Sequence, residues 1–459
     1  MSIATPRILP ASGRRALLAL AVVLVSEVFP VAAFAVTLKV ALYPYVPRLD
    51  QFETAIREAW STAEPTVPLT FTAPGEWDGG YKKDPPNDVD VYVFDAMYFE
   101  YFRQQNLVAM DPAEVLNKDD FLPYARQAVL VDDKYYAIPQ LGCANILFYN
   151  KDDAAIANAA TLEQLQGVLG KCTFTSEIPP DKRGLMLDMA GSTTNATLYL
   201  DIAHSVNGTY PLPKPSQPPN ASYITNQKAM LNMSSFWDIT SENPDAYIRG
   251  VWYSQGYGRA FMGFTETMER MTPQALDGIG FKVMPLSNVV TNPPLFYVDA
   301  IGVNTTSVQR NTRDLAVKLA NVIASADVVV ASFRKRQQDT NPQYLMSVRN
   351  SAFTSLGNDY PIYKRMHQLA TSSNPVAFKL DHSVRSWMPD FANTVRTEVR
   401  ANYACGCDQV SGETIANNAA APPICAAVCQ NHGGWNGEWT NQQQPTPRSV
   451  CGCKACPLQ

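Results

Sequence analysis

Two short runs of this chain place an acid two residues beyond an aromatic ring: Phe264 with Glu266, and Tyr297 with Asp299. On a strand that spacing turns both side chains of a pair to one face. A ring and a carboxylate sharing a face suit a flat, cationic heterocycle, stacked by the one and held by charge-assisted hydrogen bonds from the other. A third run, Tyr135 to Tyr149, carries Cys143 directly after Pro139-Gln140-Leu141-Gly142, where the chain enters an apolar strand. That position predicts a cysteine at the strand's mouth, facing a cleft. Taken alone, Cys143 reads as readily as a disulfide partner of Cys172 or a small buried residue. Glu266 alone is a surface or helix-end acid, and Asp95, in the run VYVFDAMYF, suits the N-cap of a helix from Met97 to Phe102. Phosphate-cradling GxxxxGK[ST], zinc-binding HExxH and the GxSxG elbow are missing from the sequence, and His204, His367, His382 and His432 show no ligand spacing.

The elements that must position these residues alternate. Leu38 to Leu42, Leu69 to Thr72 and Val89 to Phe94 read as strands, and Phe52, Ile56 and Trp60 recur at helical spacing. Thr161 and Gln164 make a capping box ahead of Leu162, Leu165 and Leu169, and Leu315, Leu319, Val322 and Ile323 make a second amphipathic face. Such alternation predicts an α/β protein with mostly parallel sheets. Expected crossings near Phe148 to Asp152 and Tyr297 to Val303 divide it into two lobes with a cleft between them, the plan of hinged solute-binding proteins.

The chain has 459 residues, 46% hydrophobic and 17% charged, enough for a large core. Its net charge of -5 does not suit a nucleic-acid partner. Arg14 and Arg15, an apolar run from Ala16 to Val25 and Ala33-Phe34-Ala35 predict a cleaved secretory leader. Glu27 and Pro30 break that run short of a spanning helix, so stable membrane association is not expected. An exported chain should hold its cysteines mostly as disulfides. The count is nine, so one is left over, and seven (Cys405, Cys407, Cys425, Cys429, Cys451, Cys453 and Cys456) crowd the far end. Cys451-x-Cys453-x-x-Cys456 could hold zinc, but export favours disulfides. Glycosylation sequons stand at Asn195, Asn207, Asn220, Asn232 and Asn304. The expected plan is a leader at 1–35, a body at 36–403 and a Cys-rich module at 404–459, with one lobe from 36–148 and 300–403 and the other from 149–299.

The runs YxIPQLGCANILFY, DMAGSTTNATLYL, VWYSQGYGRAFMGFTETM, LFYVDAIGVN, KLANVIASAD and DYPIY follow one another as in bacterial thiaminase I enzymes, and the body resembles that family from Leu38 to Trp387. The resemblance implies a two-lobed, type 2 solute-binding-protein fold converted to a thiamine pyridinylase. Cys143 then matches the nucleophile and Glu266 the acid/base carboxylate. Asp95 and Asp299 match acids that hold the aminopyrimidine, and Tyr43, Tyr45, Tyr247 and Tyr297 match aromatics lining the cleft. Phe264 departs from the family's tyrosine. The implied partners are thiamine and a small nucleophile, with no metal or organic cofactor. The alternatives are a secreted thiamine or pyrimidine binder and a lectin-like adhesin using the body as scaffold. The run from Ile424 to Cys453 resembles a motif of mannan-binding lectin modules, with Trp435, Gly437 and Trp439 in matching places; a disulfide-stapled cap without ligand is the other reading.

Overall fold

The computed structural model describes residues 36–170, 179–180, 182–189, 193–238, 247–401, 409–432, 434–442 and 447–453. The expected leader, Cys172, Cys405, Cys407 and Cys456 lie outside these residues.

Two mixed sheets carry the body. The first runs Met346–Ser347, Ile138–Cys143, Leu295–Val303, Val91–Asp95, Leu38–Ala41 and Leu69–Phe71, with Val376–Ala377 pairing Leu295–Val303 as the seventh strand. Every residue of Val91–Asp95 is buried, as a central strand covered on both faces requires. Phe52, Ile56 and Trp60 fill one face of the helix Leu49–Ala63, which packs against the helix Ala326–Phe333. The second sheet runs Ile279–Val283, Ile146–Asn150, Ala260–Gly263, Leu185–Asp188 and Ser234–Asp238. Its flanking helix Leu162–Leu169 opens on the expected capping box, with Gln164 N donating to Thr161 Oγ1 at 3.1 Å and Thr161 N to Gln164 Oε1 at 3.3 Å.

The expectation of mostly parallel sheets is corrected. Leu295–Val303 runs antiparallel to both Val91–Asp95 and Ile138–Cys143, and Ile146–Asn150 runs antiparallel to both its neighbours. These are the strands next to the crossings, so passage between lobes reverses direction where an ordinary βαβ repeat would not. The chain leaves the first sheet after Cys143, enters the second at Ile146, and returns between Val283 and Leu295. After Val376–Ala377 the helix Val384–Arg400 packs on the helices Thr194–Asn207 and Ala221–Asn232 of the second lobe.

The C-terminal module is a three-stranded antiparallel sheet (Gln409–Val410, Arg448–Cys453, Trp435–Gln442) under the helix Ala421–Val428. Disulfides Cys425–Cys451 and Cys429–Cys453 tie helix to sheet. Cys451 and Cys453 are therefore spent as disulfides and are not zinc ligands. The module touches the body where Arg183 Nη1 donates to Gly437 O at 2.8 Å. Asn195, Asn232 and Asn304 are buried, and Asn195 Nδ2 donates to Ala392 O, so three of the five sequons cannot carry a glycan in the folded chain; Asn207 and Asn220 are exposed. Among the described residues no single helix is long and apolar enough to cross a membrane.

Candidate active site

Three adjacent strands of the first sheet deliver the site. In the register, Tyr297 pairs with Cys143 on one side and Asp299 with Asp95 on the other. Neighbouring strands lie about 4.8 Å apart, so the thiol and both acids fall within one ligand's span. Cys143 is the last residue of Ile138–Cys143 rather than the first of the strand that follows, which puts it at the point where the chain crosses between lobes. It is half-buried and is a free thiol.

Asp95 takes the capping position expected of it, its Oδ1 accepting from Met97 N at 2.9 Å ahead of a 3-10 turn Ala96–Tyr98 and the helix Phe99–Gln105. Its other oxygen accepts from the Tyr81 hydroxyl at 2.9 Å, and the Tyr81 and Tyr43 hydroxyls lie 3.1 Å apart. Tyr81 did not emerge from the sequence. It is brought in by Gly79 and Gly80, at φ +77° and +97°, and a Cβ on Gly79 would lie 2.6 Å from the Tyr43 ring. Tyr45, 56% exposed, meets Tyr43 and Tyr81 edge to face at 5.5 and 5.6 Å and forms the rim. Tyr297 stacks on Phe378 at 4.6 Å and meets Phe264 edge to face at 6.3 Å.

Glu266 corrects a sequence expectation: it lies on a 3-10 turn, Thr265–Arg270, and not on a strand. Phe264, at φ −91° and ψ 162°, is the last extended residue before the backbone coils. Glu266 is nonetheless close enough for its charge to raise both Cys143 and Asp299. Tyr247 precedes the helix Ile248–Ser254, which packs against this turn so closely that a Cβ on Gly250 would lie 2.5 Å from Thr267 O. The sequence also did not single out Asp201, a buried acid on Thr194–Asn207 that accepts from Asn145 Nδ2 at 2.8 Å and acts electrostatically on Tyr297.

The electrostatics are those of acids packed with a thiol. Burial pushes Glu266 up to about 7. Burial also pushes Asp95 up to about 6, against the opposing pull of the Met97 N–H and Tyr81 hydroxyl. Asp299 is raised well above the usual carboxylate range by burial, then by Asp95 and Glu266. Burial, then Asp299, Glu266 and Asp95, push the Cys143 thiol well up. Such a site favours a cation, whose charge would let the acids ionise. A separate open depression of about 800 Å³ between Asn150, Lys182, Tyr253 and Arg259 holds none of these groups.

The family model described as the Thiaminase-1 domain matches residues 144–287, and that described as Mannan-binding protein matches 418–453. Thiaminase-1 of Paenibacillus thiaminolyticus is 36% identical over 361 residues, covering 77% of this chain and 86% of that protein. The chain belongs to the thiaminase I family. The structure of Clostridium botulinum thiaminase I in complex with thiamin is 33% identical to this member and superposes with a TM-score of 0.72, covering 79% of this chain and all of the other. A maltose-bound T. maritima protein, 12% identical at a TM-score of 0.57 over 80% of this chain, shares the two-lobed solute-binding fold.

Proposed function

We propose that this thiaminase I family member cuts thiamine at its methylene bridge through a covalent bond to Cys143. Thiamine degradation by group transfer goes with the family. The observation that supports the mechanism is a free thiol on the strand that pairs with that of Asp299, which pairs in turn with that of Asp95, with Glu266 near enough for its charge to act on the thiol. A thiolate is the attacking species, and an ordinary cysteine near pKa ~8.5 is mostly protonated at neutral pH. Cys143 is pushed higher still, so Glu266 takes its proton as sulfur bonds to C6 of the pyrimidine. The C5–C6 electrons move to the methylene carbon and its bond to the thiazolium nitrogen breaks, releasing a neutral thiazole. An amine, pyridine, thiol or water then adds to the methylene carbon, the electrons return, and the C6–S bond breaks. Glu266 returns its first proton to the departing Cys143 thiolate; freed, it passes the proton of an amine, thiol or water acceptor to water, whereas pyridine carries none and leaves as the pyridinium, which balances the cycle. Asp95 and Asp299 hold and polarise the aminopyrimidine. Tyr43, Tyr45, Tyr247 and Tyr297 line the cleft, with Tyr81 bracing Asp95.

Incubation with thiamine and pyridine should release free thiazole, read by mass spectrometry. Thiamine that binds but stays whole with every acceptor would instead favour a secreted thiamine-binding protein. Cleavage after Ala35, leaving Val36 first in the exported chain, is the matching localisation, tested by sequencing the secreted N-terminus. The module at 404–459 is read as a mannose-glycan binder, on its match at 418–453 and its disulfide-held sheet. Failure of the full chain to be retained on immobilised mannan would remove that reading.

A pH dependence follows from the raised acids. Their folded pKa values exceed those of the unfolded chain, so the folded protein holds their protons longer and loses stability as pH rises from about 4 through 7. Bound thiamine, a cation, offsets that loss once the acids ionise. The thiamine-induced rise in Tm should therefore be larger at pH 8 than at pH 5, read by scanning fluorimetry on Cys143→Ser, which leaves the bound cation whole. An increment that is flat or falls with pH would count against an acid-lined cation site.

A further inference from the structure

The turn that bears Glu266 is gripped from both lobes. At its start it continues from Ala260–Gly263 of the second sheet and packs under Ile248–Ser254. At its end it is held by two residues of the first lobe, Arg48 and Asn341. Arg48 Nη1 pairs with Glu269 Oε1 at 2.7 Å. Asn341 Nδ2 donates to Glu269 O at 2.8 Å and to Met271 O at 2.7 Å, satisfying carbonyls that the short turn leaves open.

Both side chains are themselves fixed. Arg48 is 8% exposed; its Nε donates to Gln51 Oε1 at 3.1 Å and lies 3.4 Å from Asp339 Oδ2. Its backbone N donates to Gln343 Oε1 at 2.8 Å, and its Nη2 reaches Asn341 O at 3.4 Å. Gln343, fully buried, is anchored in turn to Ser332 O at 2.6 Å. Arg48 precedes the helix Leu49–Ala63, and Asn341 lies between Ala326–Phe333 and the strand Met346–Ser347, all elements of the lobe that holds Cys143. The tie thus joins the Glu266 turn to the lobe of the thiol.

We propose that Arg48 and Asn341 are positioning residues, which grip the Glu269–Met271 end of the turn and thereby set Glu266 against Cys143 across the cleft. The proposal rests on the reading of Glu266 as base. A base must lie within hydrogen-bond reach of its proton, and a misplacement of about 1 Å can cost about a hundredfold. Neither residue needs to touch thiamine. Loosening the grip should therefore slow turnover without weakening substrate binding.

In the full chain, with thiamine and pyridine, Asn341→Ala should lower kcat about tenfold or more while KM for thiamine stays within about twofold. Glu269→Gln, which keeps shape and loses only the ion pair, should lower kcat several-fold with Tm nearly unchanged. Arg48→Lys should retain most of the rate that Arg48→Met loses. The decisive arm is a double-mutant cycle: in a Glu266→Gln background, Asn341→Ala should cost less than about twofold more, because the group it positions has lost its function. If Asn341→Ala costs the same factor in both backgrounds, or if kcat falls only in step with Tm, the positioning role is overturned. Near-full activity of Glu266→Gln alone would instead bring down the base reading, and the positioning role with it.

Discussion

Cys143→Ser should bind thiamine nearly as well as the native chain and turn it over slower by several orders of magnitude, measured by thiazole release and by calorimetric binding. The substitution preserves the shape of the cleft floor and leaves the pairing of Cys143 with Tyr297 in place. What it removes is the proposed nucleophile, since a serine hydroxyl is far less acidic than a thiol and no histidine stands among the groups that act on this position. The size of the loss follows from how this thiol is set. Reactive cysteines are commonly activated by a cation or a helix N-terminus, which holds them as thiolates at rest. Cys143 is surrounded by Asp299, Glu266 and Asp95, which oppose ionisation. It therefore rests as a thiol, and in the proposed mechanism it becomes a nucleophile only as Glu266 takes its proton and the cation of the substrate offsets the acids. The native protein without thiamine should accordingly react slowly with alkylating agents. Near-full activity of Cys143→Ser would require another nucleophile or direct attack by water, and would end the covalent mechanism while leaving the fold intact.

The strand-borne part of this site was legible in the sequence because period-two spacing survives folding unchanged. Tyr297 and Asp299 share a face of one strand, as their spacing requires. Glu266 has the same spacing from Phe264, yet the backbone coils after Phe264, and nothing in Phe-Thr-Glu-Thr-Met distinguishes a short 3-10 turn from a strand. Tyr81 was hidden for a different reason. Its contact with Asp95 depends on two successive glycines with positive φ folding the chain under Tyr43, a long-range closure that no local pattern announces. Asp201 had a faint signal, an acid on the same buried helix as Leu198 and Ile202, and its partner Asn145 lies two residues beyond Cys143. The mixed strand directions were illegible too, since alternating strands and helices do not say where a chain crosses to a second sheet.

Glu266→Gln should slow both half-reactions, by about 10²- to 10⁴-fold overall, the range common for loss of a general base. Glutamine fills the same volume and accepts hydrogen bonds, but it cannot take a proton from Cys143 or from the acceptor amine. With its pKa raised to about 7 by burial, Glu266 is largely protonated at pH 5 and largely ionised at pH 8. The base form is the ionised one, so native kcat/KM should climb with pH and level off above about 7, and Glu266→Gln should lose that plateau along with the rate, its residual activity still rising with pH as the thiol ionises unaided. The residual activity should exceed that of Cys143→Ser, because the thiol can still ionise unaided while a serine hydroxyl almost never does. If the second half-reaction is slowed more than the first, the pyrimidinylmethyl group should accumulate on Cys143, visible as a mass increment on the peptide that contains it. That adduct should be missing from Cys143→Ser under every condition. A pH profile left unchanged by Glu266→Gln would assign the limb to another of the raised acids, with Asp95 at about 6 the nearest in value. Full activity without a carboxylate at 266 would leave Cys143 ionised by its substrate's charge alone, and the turn gripped by Arg48 and Asn341 would then hold structure rather than chemistry.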